Sequence, residues 1–224
     1  MFNRYLSGNQ SLRASCVPVV LTTAGFLAVT PVAWSQSEDP PPVVRIEEDW
    51  MLVLNEPDED VDSPQFHTVM SPSNTTDSNY AQVLWNYREV SGFVSGGVQL
   101  NSYDDDFRLR YRSVETRQLS NTAETITWTQ GLSTDGVMLS FDISNGQSTT
   151  WGTFGRDMRI DESANLPSLN EYTPETSVEN SCITYGSNRV ELLMITGVRY
   201  YAADGLLLSV DTTPRVVYEF GDDE

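Results

Sequence analysis

Apolar and polar residues alternate one for one in run after run of this chain, and that period of two restricts its fold more than any other feature. In FRLRYR, Phe107, Leu109 and Tyr111 alternate with Arg108, Arg110 and Arg112. In ETITWTQ, Ile126 and Trp128 alternate with Thr125, Thr127 and Thr129. In GVMLSFDI, Val137, Leu139, Phe141 and Ile143 form an apolar set against Met138, Ser140 and Asp142. Successive residues of a strand point to opposite faces, whereas helical apolar positions recur at about 3.6 residues. The pattern therefore predicts strands with one buried face. Trp50, Leu52 and Leu54 begin a further run, as do Val83 with Trp85 and Val98 with Leu100. RVELLMI, Arg189 to Ile195, is apolar on both faces and reads as a central strand. VVYEF, Val216 to Phe220, reads as the last one.

The connections carry turn chemistry. Asn145-Gly146 and Asp204-Gly205 each stand between two such runs, the strongest short-range signal for a hairpin. About ten short strands punctuated by Gly, Asn, Asp and Pro predict an all-β chain. Its expected form is a single antiparallel β-sandwich, jelly-roll or concanavalin-like, over residues 45–220. Neither an internal repeat nor a dividing linker is visible, and residues 221–224 read as an acidic tail.

Residues 1–35 read as a signal peptide. Arg4 and Arg13 precede the apolar run Val17 to Thr30, Ala33-Trp34-Ser35 fits a small-x-small cleavage site, and no acid occurs before residue 36. The expected product is exported, periplasmic or extracellular, with residues 36–44 as a Pro-rich leader and no membrane span after cleavage. Cys16 lies in the signal segment, which leaves Cys182 without an intrachain disulfide partner; it reads as a small buried hydrophobe. The sequence has no lysine, 13 arginines and 32 acids, for a formal net charge of −19. Such a chain is repelled by nucleic acid and by anionic membrane surfaces.

Three segments carry a resemblance: EDWMLVLNEPDEDVDSPQ (Glu48 to Gln65), NGQSTTWGTFG (Asn145 to Gly155) and SNRVELLMITGVRYYAADG (Ser187 to Gly205). They look like a group of secreted, acidic proteins of environmental bacteria, which implies a secreted β-domain. More loosely, the strand pattern resembles concanavalin-like sandwiches that bind or cleave polysaccharides. The E-x-D-x-E strand of glucanases on that scaffold does not occur; SFDISN, with one acid, is the nearest strand.

The missing residue types exclude much chemistry. Without lysine there is no P-loop lysine and no Schiff base. His67 is the only histidine, so a multi-histidine metal site cannot form, and no GxSxG elbow is present. His67 lies in the alternating run FHTVM and reads as a residue of a strand's polar face. Asp58, Asp60 and Asp62 alternate in EPDEDVDSP and are the candidate ligands for calcium, the one cofactor the sequence suggests. The loop departs from an EF-hand, with Ser63 where glycine turns the chain and Val69 where the bidentate acid belongs. Trp85, Tyr87, Trp128, Trp151, Tyr200 and Tyr201 are flat enough to stack on sugars, but equally suited to a core.

Arg108, Arg110 and Arg112 are the candidate ligand-binding residues. A regular strand would set them in a row about 7 Å apart, facing an acidic polysaccharide or acids on the next strand. The resulting expectation is an exported, non-enzymatic binding or cell-envelope interaction module. Carbohydrate is the expected ligand class, and a polysaccharide or an envelope protein the expected partner. The alternatives are a lyase of uronate polysaccharides, with His67 or a tyrosine as base, and a purely structural envelope protein.

Overall fold

The computed structural model describes residues 40–57, 63–77, 79–86, 96–103, 107–112 (backbone alone), 119, 122–156 and 158–221. Contacts divide the chain into residues 1–39 and one compact unit, Pro40–Glu224. Within that unit the described residues form thirteen strands: β1 (Arg45–Leu54), β2 (Gln65–Met70), β3 (Tyr80–Trp85), β4 (Val98–Tyr103), β5 (Phe107–Arg112), β6 (Glu124–Thr134), β7 (Met138–Ser148), β8 (Gly152–Phe154), β9 (Met158–Ser163), β10 (Cys182–Tyr185), β11 (Val190–Tyr201), β12 (Leu207–Asp211) and β13 (Arg215–Glu219). One short helix, α1 (Pro174–Asn180), precedes β10.

The strands make two antiparallel sheets. The larger has the order β12-β11-β1-β6-β7-β8, with β13 also on β11 and β9 also on β7; the smaller runs β10-β2-β3-β4-β5. The chain is all-β, as the alternation predicts, and the sheets pack face to face as a sandwich. Their inner residues meet in an aromatic plate. Phe66 and Trp85 of the small sheet stack at 5.6 Å, Trp50 and Trp128 of the large sheet stack at 5.9 Å, and Trp85 lies 4.3 Å from Trp128. In β1, Ile46, Trp50, Leu52 and Leu54 point inward and are buried. No helix among the described residues is long and apolar enough to cross a membrane.

The strand count exceeds the expected ten for local reasons. β8 has only three residues. In β9, Met158, Ile160 and Glu162 share the buried face, so a glutamate breaks what would read as an apolar row. β11 lies between β1 on one side and β12 and β13 on the other, as its apolar composition suggests.

Two turn and face expectations need correction. Asn145-Gly146 is not a hairpin turn, because β7 continues to Ser148. The β6–β7 register shifts between Thr127 and Thr129, whose partners are Gln147 and Ser144, so the pair forms a β-bulge. Asn145 takes φ 56°, and a Cβ on Gly146 would come within 2.5 Å of the Phe154 ring. The same left-handed preference serves a bulge as well as a turn. The reversal falls instead at Thr149–Trp151. There the Glu124 carboxylate accepts from Ser148 Oγ (2.7 Å), the Thr149 N–H (2.7 Å) and the Thr150 N–H (3.1 Å). Val137, expected on the buried face, is 61% exposed, since it lies in the Asp135 turn before β7. Asp204-Gly205 does turn the chain between β11 and β12, with the Ala202 N–H on the Leu206 carbonyl.

Candidate functional site

FRLRYR is a strand, β5, at the edge of the small sheet. Its register on β4 pairs Arg108 with Ser102 and Arg112 with Gln99, and shifts between Leu100 and Asn101, where Arg110 is the extra residue. The strand is thus bulged once, which interrupts the strict alternation of its sequence. The side chains of Arg108, Arg110 and Arg112 lie outside the described residues, as do Asp58, Asp60 and Asp62 altogether. Among the described residues no three His, Cys, Asp or Glu side chains stand close enough to share a metal ion.

The small sheet has a polar far side. Ser102 points between the sheets and hydrogen-bonds Glu162 of β9, so Gln99, Asn101 and Tyr103 point away from the large sheet. Across the register, Tyr80 is opposite Tyr103 and Gln82 opposite Asn101. The two tyrosine rings are parallel with centroids 4.7 Å apart, and both are half-buried. Tyr103 donates its hydroxyl to Gln82 Oε1 at 2.9 Å, and burial raises that hydroxyl above the ordinary phenol range. Gln99 Nε2 donates to Asn101 Oδ1 at 3.0 Å, and Gln99 Oε1 and Asn101 Nδ2 are buried without a geometrically regular hydrogen bond among the described residues. An unmet buried polar atom costs about 1–3 kcal/mol, so two adjacent ones are a notable concentration of strain.

On the same far side His67 of β2 is the register partner of Cys182 of β10. Cys182 is exposed, not the buried hydrophobe its isolation in sequence suggests, because β10 is the outer strand of the sheet. Its sulfur lies 3.8 Å from His67 Nδ1 and 3.7 Å from Nε2. At such equal distances the sulfur is on the lone-pair axis of neither nitrogen, so the pair is not an aligned thiol–imidazole dyad. Burial holds the His67 imidazole below its ordinary range, against a hydrogen bond with the Asn180 backbone. Cys182 is expected to react with a maleimide in the folded protein at a rate close to that of the urea-unfolded chain. Mass spectrometry over a time course checks this; protection by orders of magnitude would contradict the exposure.

A second polar cluster lies inside the sandwich, and sequence reading missed it. Glu48 takes the inward place between Ile46 and Trp50 in β1 and is fully buried. One carboxylate oxygen accepts from Tyr172 OH (2.6 Å) and Ser177 Oγ (2.5 Å). The other accepts from Trp50 Nε1 (2.9 Å) and Gln130 Nε2 (3.4 Å). Gln130 in turn accepts from Thr68, which accepts from Trp85 Nε1 at 3.0 Å, so the network crosses from one sheet to the other. Burial raises the Glu48 carboxyl above the ordinary range, opposed by its four donors. The signal that could have found it is the register of the alternation: an acid sits where β1 requires an apolar residue.

Arginines of the large sheet meet acids both across strands and two residues along the same strand. Arg199 bonds Glu47 and Asp49, Arg45 bonds Glu47 at 3.0 Å and Asp142 at 3.3 Å, and Arg159 bonds Asp161 at 2.7 Å. Gly131 makes room for this ladder, since a Cβ there would come within 2.5 Å of the Asp142 carboxylate. Of the aromatics named from sequence, Trp85, Trp128 and Trp151 belong to the core. Tyr200 is half-buried and Tyr201 donates to Glu47; Tyr87 lies outside the described residues. Compared with protein families, with curated proteins and with solved structures, the chain matches none.

Proposed function

We propose that the chain is an exported, non-enzymatic binding module of the cell envelope whose ligand is a carbohydrate, engaged on the far side of the small sheet. The observation that carries this reading is the parallel, part-exposed Tyr80–Tyr103 pair beside the amide of Gln82. Flat rings take the apolar face of a sugar, and amides take its hydroxyls, each amide offering a donor and an acceptor. Gln99 and Asn101 are fully buried behind this rim and shape it rather than touch the ligand. β5, with Arg108, Arg110 and Arg112, is the adjacent strand and would supply cations to an acidic glycan.

The lyase alternative draws less support. His67 and Arg112 stand at the two ends of one register row, through Leu84 and Gln99. Three strand spacings separate their backbones by about 14 Å. A base and a carboxylate-neutralising arginine must act on the same sugar ring, so this alternative requires both side chains to reach toward each other along that row. Tyr103, with its proton held more tightly by burial, is a poor base.

A screen of residues 36–224 against neutral, uronate and sulfated glycans tests the proposal. A Tyr80→Ala/Tyr103→Ala protein is expected to lose binding to every glycan the parent retains. An Arg108→Ala/Arg110→Ala/Arg112→Ala protein is expected to lose acidic glycans alone. Retention of all glycans by the tyrosine variant would overturn the assignment of the face, and depolymerised product in the assay would overturn the non-enzymatic reading.

A further inference from the structure

On the other sheet, three arginines surround one hollow. Arg45 from β1, Arg159 from β9 and Arg156 from the β8–β9 connection line a cavity of about 330 Å³ together with Asp142 and Ser144. The position of Arg156 is built in by its neighbour. Gly155 has φ 84°, and a Cβ there would meet Ile143 Cγ2 at 2.9 Å and the Ile143 backbone at 3.1 Å. Only glycine lets the chain turn this closely over β7, and the turn places Arg156 at the cavity.

The three guanidinium groups are not equally occupied. Arg45 donates from Nε to Glu47 and from Nη1 to Asp142. Arg159 donates from Nε to Asp161 and from Nη2 to Ser140 Oγ, both at 2.7 Å. Each is thereby fixed in direction while most of its N–H donors stay unspent. Arg156 makes no ion pair or hydrogen bond among the described residues. With 32 acids against 13 arginines, an arginine without a partner among the described residues, beside two that are ion-paired, is not what an acid-rich surface produces by default. Asp142, the one acid among the described residues that line the cavity, already faces Arg45.

We infer that this cavity is an oxyanion site, taking the carboxylate or sulfate group of an acidic ligand between Arg156 and the free edges of Arg45 and Arg159. A planar or tetrahedral oxyanion offers two oxygens to each guanidinium fork, the arrangement that makes such contacts short and directional. Asp142 in the lining, and Glu47 and Asp161 paired to two of the arginines, oppose weakly held anions, so the site selects ligands that reach several arginines at once. It is separate from the tyrosine face of the small sheet and does not depend on the carbohydrate reading.

Titration calorimetry of the full chain with sodium sulfate and with sodium glucuronate, ionic strength balanced with sodium chloride, tests the inference. At least one anion is expected to bind saturably, more weakly as the balancing salt is raised. Sulfate alone would mark a sulfate-ester ligand, glucuronate alone a uronate, and both a site for either group. Arg156→Gln is expected to weaken binding about tenfold or more, as loss of a charge-assisted contact does, with the melting temperature unchanged because Arg156 holds no partner among the described residues. Arg156→Lys should retain part of the affinity. Failure of both anions to bind, or full affinity in Arg156→Gln, would overturn the site. A negative glycan screen together with positive anion titrations would sink the carbohydrate proposal and leave this one standing.

Discussion

Replacing Glu48 by alanine is expected to lower the unfolding free energy by about 4 kcal/mol, read as a shift of the urea midpoint at unchanged slope. The substitution strands four buried donors, on Tyr172, Ser177, Trp50 and Gln130. Each unmet donor costs about 1–3 kcal/mol, and only some can find a new acceptor in so tight a site. It also cuts the link by which residues 172–177 are held against β1. Glu48→Gln keeps the shape and one acceptor oxygen, and is expected to cost about 1 kcal/mol at acidic pH. The pH dependence distinguishes the two forms. The folded carboxyl binds its proton more tightly than the unfolded one, whose ordinary value is 4.5. The stabilisation from this group is therefore complete below that value and is lost as pH rises through the folded value. Stability of the parent minus that of Glu48→Gln should fall as pH rises from acid toward neutrality. A flat or rising difference would show that the four donors outweigh burial.

Trp85→Ala is expected to cost about 4 kcal/mol, and to lower the melting temperature by about 10 °C for a unit of this size. The ring is fully buried and touches Phe66 at 5.6 Å, Trp128 at 4.3 Å, Trp151 at 6.3 Å and Phe154 at 5.7 Å. These partners come from both sheets, so its loss opens a cavity at the centre of the sandwich that no single strand can close. Its Nε1–H also ends the polar network at Thr68. Trp85→Phe should cost about half as much, because most of the volume stays. Differential scanning calorimetry with near-ultraviolet dichroism measures both effects. A melting temperature within about 2 °C of the parent's would mean that the sheets are held together elsewhere.

The parts of the fold legible in the sequence were those where burial follows the strand period without exception. Leu139, Phe141 and Ile143 gave β7, and Ile126 with Trp128 gave β6. Where a polar residue occupies an inward place, the pattern fails: Glu162 hides β9, and Glu48 hides the internal network. α1 is a seven-residue helix too short to show a period, although Thr173 before Pro174 is the cap it uses. The candidate sites depend on partners far apart in sequence. His67 meets Cys182 across 115 residues, and Glu48 meets Tyr172 across 124. No spacing rule reaches that far. FRLRYR was readable as a strand, but its bulge depends on the register against β4, which single-chain periodicity does not encode.

The most direct test of the account is hydrogen–deuterium exchange of residues 36–224 with and without the best-bound oligosaccharide. The account predicts slower exchange confined to β3, β4 and their connection to β5, with Tyr80→Ala/Tyr103→Ala abolishing the change. Protection that falls elsewhere, or survives in the tyrosine variant, would contradict it.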